Sequence, residues 1–174
     1  MKKIIFSILI TSFMYSYNLP AQNLANSMLG TTNARLNESF GQEQKEVISM
    51  LDSFNVAAAK ADYKTYFNFF TDYAVFTGTD ATERWTKNEY MVWAKPYFDK
   101  KHTWNFTALQ RHIYIDPPGT HAWFDELLNT QMKICRGSGV LVKDPTGWKI
   151  MQYILSATRP NPVMDSVVKI KAPR

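Results

Sequence analysis

The order of elements in this 174-residue chain predicts an α+β domain, with helices gathered first and a meander of long strands after them. Two observations carry that expectation. Val47, Met50, Leu51, Phe54 and Ala58 recur at helical spacing, while Glu43, Lys45, Glu46 and Lys60 fill the opposite face. Further on, the stretch Arg111 to Asp125 alternates on both sides of Asp116-Pro117-Pro118-Gly119, a run of chain breakers. That pattern reads as the central hairpin of a curved antiparallel sheet.

The first residues are of a different kind. Lys2 and Lys3 precede an apolar run, Ile4 to Met14, then polar Ser16-Tyr17-Asn18 and Leu19-Pro20-Ala21. A basic start, a short apolar run and a small final residue describe a signal peptide over residues 1–21. The run is shorter than the ~20 residues a bilayer crossing needs, so no transmembrane segment is expected in the mature chain. The address implied is secreted or periplasmic. Residues 22–41 hold Asn, Ser, Thr and Gly without periodicity and read as a mobile leader. The folded domain is expected over 42–160, and 161–174, with Pro162 and Pro173, as an extended tail.

Composition sets further bounds. The formal charge is +5, and the basic clusters Lys100-Lys101 and Lys169, Lys171, Arg174 are too short to imply nucleic acid. Cys135 is the one cysteine, so no internal disulfide exists; its strand-like surroundings predict a buried thiol.

In order, the first helix is expected over 42–61, and Asp62 is placed to cap a second from Tyr63 to Phe70. Ala74 to Gly78 reads as a short strand. A polar loop follows, ending at Trp85. Thr86 and Glu89 have capping-box spacing, which starts a third helix at Lys87, running to about Phe98 with Pro96 near its end. Strands are expected over 104–115, 120–128, 132–143 and 148–157. Gly137 and Gly139 mark a bulge or a close backbone approach, and Asp144-Pro145-Thr146-Gly147 marks a turn.

Counting outward from the hairpin turn, Ile115 is expected opposite Thr120 and His112 opposite Trp123. One face then carries Gln110, His112, Tyr114, His121, Trp123 and Asp125, and the other Ile113, Ile115, Ala122 and Phe124. The polar and aromatic face is where a ligand is expected. If Leu127 pairs with Ile134, Asp125 lies beside Arg136. A guanidinium there holds the carboxylate ionised, which suits a binding anchor better than a base near neutral pH; a purely structural ion pair fits equally. His112 is a proton shuttle or a packing residue. His112, His121 and Asp125 lack His-x-His or Glu-x-x-His spacing, so no metal or cofactor is expected.

Several segments together are specific enough to quote: Ala74-Val75-Phe76-Thr77-Gly78-Thr79-Asp80 leading to Glu83-Arg84-Trp85, Arg111-His112-Ile113-Tyr114, Ala122-Trp123-Phe124-Asp125-Glu126, Arg136 to Val142, and Gly147-Trp148-Lys149 to Ser156. These resemble the SnoaL-like group of the nuclear transport factor two-like, or cone-fold, superfamily. The resemblance implies three helices packed in a strongly bent sheet around a pocket, and a homodimer formed through the sheet. It places Glu83, Arg84 and Trp85 at the cone mouth, as ligand contacts or as a surface pair beside a helix staple. Tyr66, Phe70, Tyr73, Trp123 and Tyr153 become wall residues, suited to a small, flat, largely apolar ligand. Glu126, opposite in face to Asp125, falls in the dimer interface with Gln152 and Ile154. The group includes isomerases, dehydratases and cyclases as well as non-catalytic modules. Asp62 and Asp72 lie in the early helical region, but neither matches an isomerase base.

Two functional readings follow. One is a secreted pocket protein for a small hydrophobic or aromatic molecule, with proton transfer by Asp125 and His112. The other is a dimeric binding or assembly module whose cavity is filled by its own side chains.

Overall fold

The computed structural model describes Met28 and residues 41–171; the expected signal peptide and nearly all of the leader lie outside these. Helix α1 occupies residues 41–59. It is followed by α2 (Tyr63–Asn68), β1 (Phe70–Thr77), β2 (Arg84–Thr86), α3 (Lys87–Asp99), β3 (Thr107–Ile115), β4 (His121–Thr130), β5 (Lys133–Asp144), β6 (Gly147–Ala157) and α4 (Met164–Lys171). The strands form one sheet in the order β2-β1-β6-β5-β4-β3. Among the described strands only β1 and β6 run parallel, so the sheet is mixed; the α+β class is as the sequence led us to expect.

Local chemistry explains the helix starts. The Asp62 carboxylate accepts from Thr65 N–H at 3.0 Å, and Thr86 and Glu89 close a reciprocal capping box. Pro96 lacks the N–H that would reach Val92, yet it sits exposed in the last turn and α3 continues to Asp99. The side of α1 that carries Val47, Leu51, Phe54 and Ala58 is buried against the sheet. Two polar ties fix it there: Lys143 on β5 binds Glu43 at 2.7 Å, and Arg111 on β3 binds Asp52 at 2.8 Å.

Paired residues on adjacent strands share a face, so the register sorts the sheet into rows. One row reads Ile113, Phe124, Gly139, Tyr153, Phe76 and Trp85 across all six strands. The row beside it reads Arg111, Glu126, Gly137 and Leu155. Both face the helices. The outer face carries Tyr114, Trp123, Val140 and Gln152, and next to them His112, Asp125, Ser138 and Ile154.

Three expectations are corrected. The hairpin pairs Ile115 with Ala122 and His112 with Asp125, two residues away from the expected register. The cause is Asp116, whose carboxylate accepts from the backbone of Thr120 and His121 and draws His121 opposite itself. A shift of two preserves which residues share a face. Second, Asp125 lies opposite Ser138 rather than Arg136, which pairs with Leu127. Third, 161–171 is not extended: Asn161–Val163 forms a 3-10 turn leading into α4. Pro162 sits at the start of that turn, where its missing N–H costs nothing, with Asp165 in the first turn of α4 and Lys169 and Lys171 in the last.

Candidate functional site

The site is a cavity of about 180 Å³ between the helices and the inner face of the sheet. Phe54 of α1, Tyr66 of α2, and Tyr90 and Trp93 of α3 form its helical side. Phe76, Trp85, Tyr153 and Leu155 form its sheet side, with Trp104, Phe106, Gln131 and Met132 completing the wall. The loop from Gly78 to Glu83 closes one edge.

The rings are organised by stacking. Phe76 lies parallel to Tyr153 at 5.6 Å and to Tyr90 at 4.1 Å. Trp85 stacks on Trp93 at 4.8 Å, and Phe54 on Tyr66 at 4.5 Å. Burial of an aromatic side chain stabilises by about 1.5–3 kcal/mol, so these walls are also core.

The three tyrosine hydroxyls of the walls are committed. The Tyr66 and Tyr90 hydroxyls bond each other at 2.9 Å, and Tyr153 O–H donates to Glu126 at 3.1 Å. Burial pushes all three phenols up, so they stay neutral. Glu126 lies behind the Tyr153 ring with its side chain 1% exposed. Arg111 Nε donates to its Oε2 at 2.8 Å; Nη2 lies 2.7 Å from the same oxygen without an N–H aimed at it. Burial raises the Glu126 carboxyl, Arg111 working against it, while the two carboxylates Glu126 and Asp52 hold Arg111 more firmly protonated against its own burial. A chain Tyr153–Glu126–Arg111–Asp52 thus runs from the cavity wall to the surface of α1.

Of the residues expected at the site, Tyr66, Tyr153, Trp85 and Glu83 line this cavity. Phe70 packs just behind, its ring 5.7 Å from Tyr66. Arg84 and Tyr73 are exposed and line nothing here. His112, Asp125, Tyr114 and Trp123 do come together, but on the outer face: His112 Nδ1 lies 3.0 Å from Asp125 Oδ1, and Tyr114 stacks on Trp123 at 5.7 Å. Arg136 is exposed on that face too. Glu126 is corrected from the outer interface to the inner core; Gln152 and Ile154 share a face with Asp125 instead. Sequence reasoning passed over Arg111, and gave Trp93 and Trp104 no place in a site. A signal for Arg111 and Glu126 was present, since they share the alternation of Ile113 and Phe124 on an otherwise apolar face.

Comparison with known proteins gives one family. The SnoaL-like domain model matches residues 47–160. No curated protein matches the chain. Among solved structures, a cystatin-like-fold domain of unknown function from Nostoc punctiforme is 10% identical with a TM-score of 0.60, covering 76% of this chain and 88% of its own. A candidate dehydratase of the NTF2-like family from Streptomyces avermitilis is 15% identical, TM-score 0.56, covering 67% and 96%. A candidate aromatic ring hydroxylase from Novosphingobium aromaticivorans is 12% identical, TM-score 0.56, covering 68% and 91%. At these identities the likeness is one of fold.

Proposed function

We propose that this chain, which belongs to the SnoaL-like family, binds a small, ring-sized, largely apolar molecule without transforming it. The observation that carries this reading is the cavity of about 180 Å³ walled by stacked aromatic rings. An engineered apolar cavity of roughly 150 Å³ holds benzene, whereas drug-sized ligands occupy about 300–1,000 Å³. The size therefore suits one ring. Proton transfer has little support in the cavity. The Tyr153 hydroxyl donates to Glu126, Glu126 is tied to Arg111, and His112 and Asp125 lie on the outer face. The apolar run Ile4 to Met14 supports export before the ligand is met.

The test is methyl NMR at Met132 and Leu155 during titration with toluene. Saturable shifts with a Kd on the order of 0.1–1 mM are expected for a ligand of so few atoms. Shifts that never saturate would refute a defined site.

The outer sheet face supports a second role, assembly. Tyr114 and Trp123 are 46% and 48% exposed although stacked on each other, which is unusual for large rings on a sheet without a partner. A homodimer through this face is proposed. Sedimentation should show a dimer for the parent and a monomer for Trp123→Glu, with thermal stability little changed. A parent that sediments as a monomer at all concentrations refutes it.

A further inference from the structure

We infer that the molecule taken by the cavity carries a protonated amine next to its ring, and that Glu83 receives it. This rests on the pocket reading above and narrows it to a ligand class, a one-ring arylalkylamine. Three observations bear on it.

Among the described residues Glu83 is the only charged one lining the cavity. Among the described residues no ion pair includes it. Its neighbour Arg84 is exposed and not part of the wall. The carboxylate is also placed rather than loose. Asp80 N–H donates to Oε2 at 3.1 Å, and Gly78 N–H donates to the Glu83 carbonyl at 2.8 Å. A methyl group on Gly78 would come within 2.2 Å of Oε2, so the loop needs glycine there for the carboxylate to fold back over it. Third, burial above all pushes up the Tyr90 phenol in the wall, with its tyrosine neighbours next and the nearby Glu83 charge the smallest influence. Trp85 and Trp93, beside it in the wall, offer the ring faces that attract cations best.

Filling this cavity strips water from the Glu83 carboxylate. A neutral ring leaves that charge with the Asp80 N–H but no counter-charge in place of the lost water, which costs free energy. An anionic ligand adds repulsion. A ring bearing an ammonium group replaces the lost water with a charge-assisted hydrogen bond and leaves the aromatic walls to the ring. The protein as a whole is basic, at +5, so the carboxylate in the wall selects against the general field.

Calorimetric titration of the wild-type protein with phenethylamine, propylbenzene and phenylacetate at neutral pH tests this directly. The amine is expected to bind at least ten-fold more tightly than propylbenzene, with phenylacetate weakest. That gap should shrink at high salt and close in Glu83→Gln. Equal affinity for phenethylamine and propylbenzene overturns the amine assignment while leaving the pocket reading intact. No binding of any of the three overturns both. The wild-type series decides the matter by itself should Glu83→Gln fold poorly.

Discussion

Arg111→Met should lower the stability of the domain by about 3–5 kcal/mol, the cost of leaving a buried charge without its partner. Glu126 is 1% exposed and depends on Arg111 for two close contacts, at 2.8 and 2.7 Å. The substitution also frees Asp52, but Asp52 is exposed and water replaces the arginine there. By contrast, removing the exposed i,i+4 pair Lys95–Asp99 should change stability by under ~0.5 kcal/mol. Urea denaturation monitored by tryptophan fluorescence measures both. A loss below about 1 kcal/mol for Arg111→Met would mean that Glu126 escapes to water when released. Adding Glu126→Gln to Arg111→Met should restore at least half of the loss, because the amide needs no counter-charge and still accepts from Tyr153.

The pH dependence of that variant has a definite sign. Burial already raises the Glu126 carboxyl in the folded protein, and Arg111 is the main opposing influence. Without the arginine the folded value climbs further above the unfolded value of about 4.3. Between the two values the folded chain holds a proton that the unfolded chain has released. Stability then falls as pH rises through that window. The deficit of Arg111→Met against the parent should therefore be smallest near pH 4 and grow towards neutrality. A deficit that stays constant with pH would place the loss in packing rather than in the stranded carboxylate.

What was legible in the sequence follows from how far each interaction reaches. The Asp62 cap and the Thr86–Glu89 box are settled within three residues, and both formed as read. Alternation around Asp116 also told correctly which residues share a face. It could not tell which face is covered, because that depends on where α1 to α3 pack. The ligand was expected on the face of His112 and Asp125, where polar chemistry is densest. The helices instead cover the face of Ile113, Ala122 and Phe124, where apolar area is greatest. Arg111 and Glu126 lie on that covered face, so their charges are the ones that had to be paired. The hairpin register was lost to one side chain, the Asp116 carboxylate, which no periodicity reports. The cavity itself joins Phe54, Tyr90, Trp104 and Tyr153 from distant segments, a juxtaposition that only the folded chain displays.

Gly139→Ala should destabilise by about 2–4 kcal/mol, which for a domain of this size lowers the melting temperature by roughly 10 °C. The reason is space, not backbone angle. A Cβ at 139 would lie 2.3 Å from the carbonyl oxygen of Gln152 and 2.8 Å from the Phe124 ring. The first of these is backbone of the neighbouring strand β6 and has no rotamer through which to retreat. Relief requires β5 and β6 to part near Gly139 and Tyr153, within the row that supports the cavity wall. Gly137→Ala meets side chains instead, with Tyr153 Oη at 2.6 Å and Glu126 Oε1 at 2.8 Å. Its methyl would press between the partners of a buried hydrogen bond, so its cost should fall partly on that bond and depend on whether Glu126 is charged. Gly41→Ala supplies the control: among the described residues nothing lies within 4 Å of the added methyl, and position 41 is the first of the helix, where the exchange changes little. Thermal denaturation of the three variants should therefore give two large losses and one little-changed melting temperature. A Gly139→Ala protein as stable as the parent would show that β5 and β6 are spaced more widely than this fold has them.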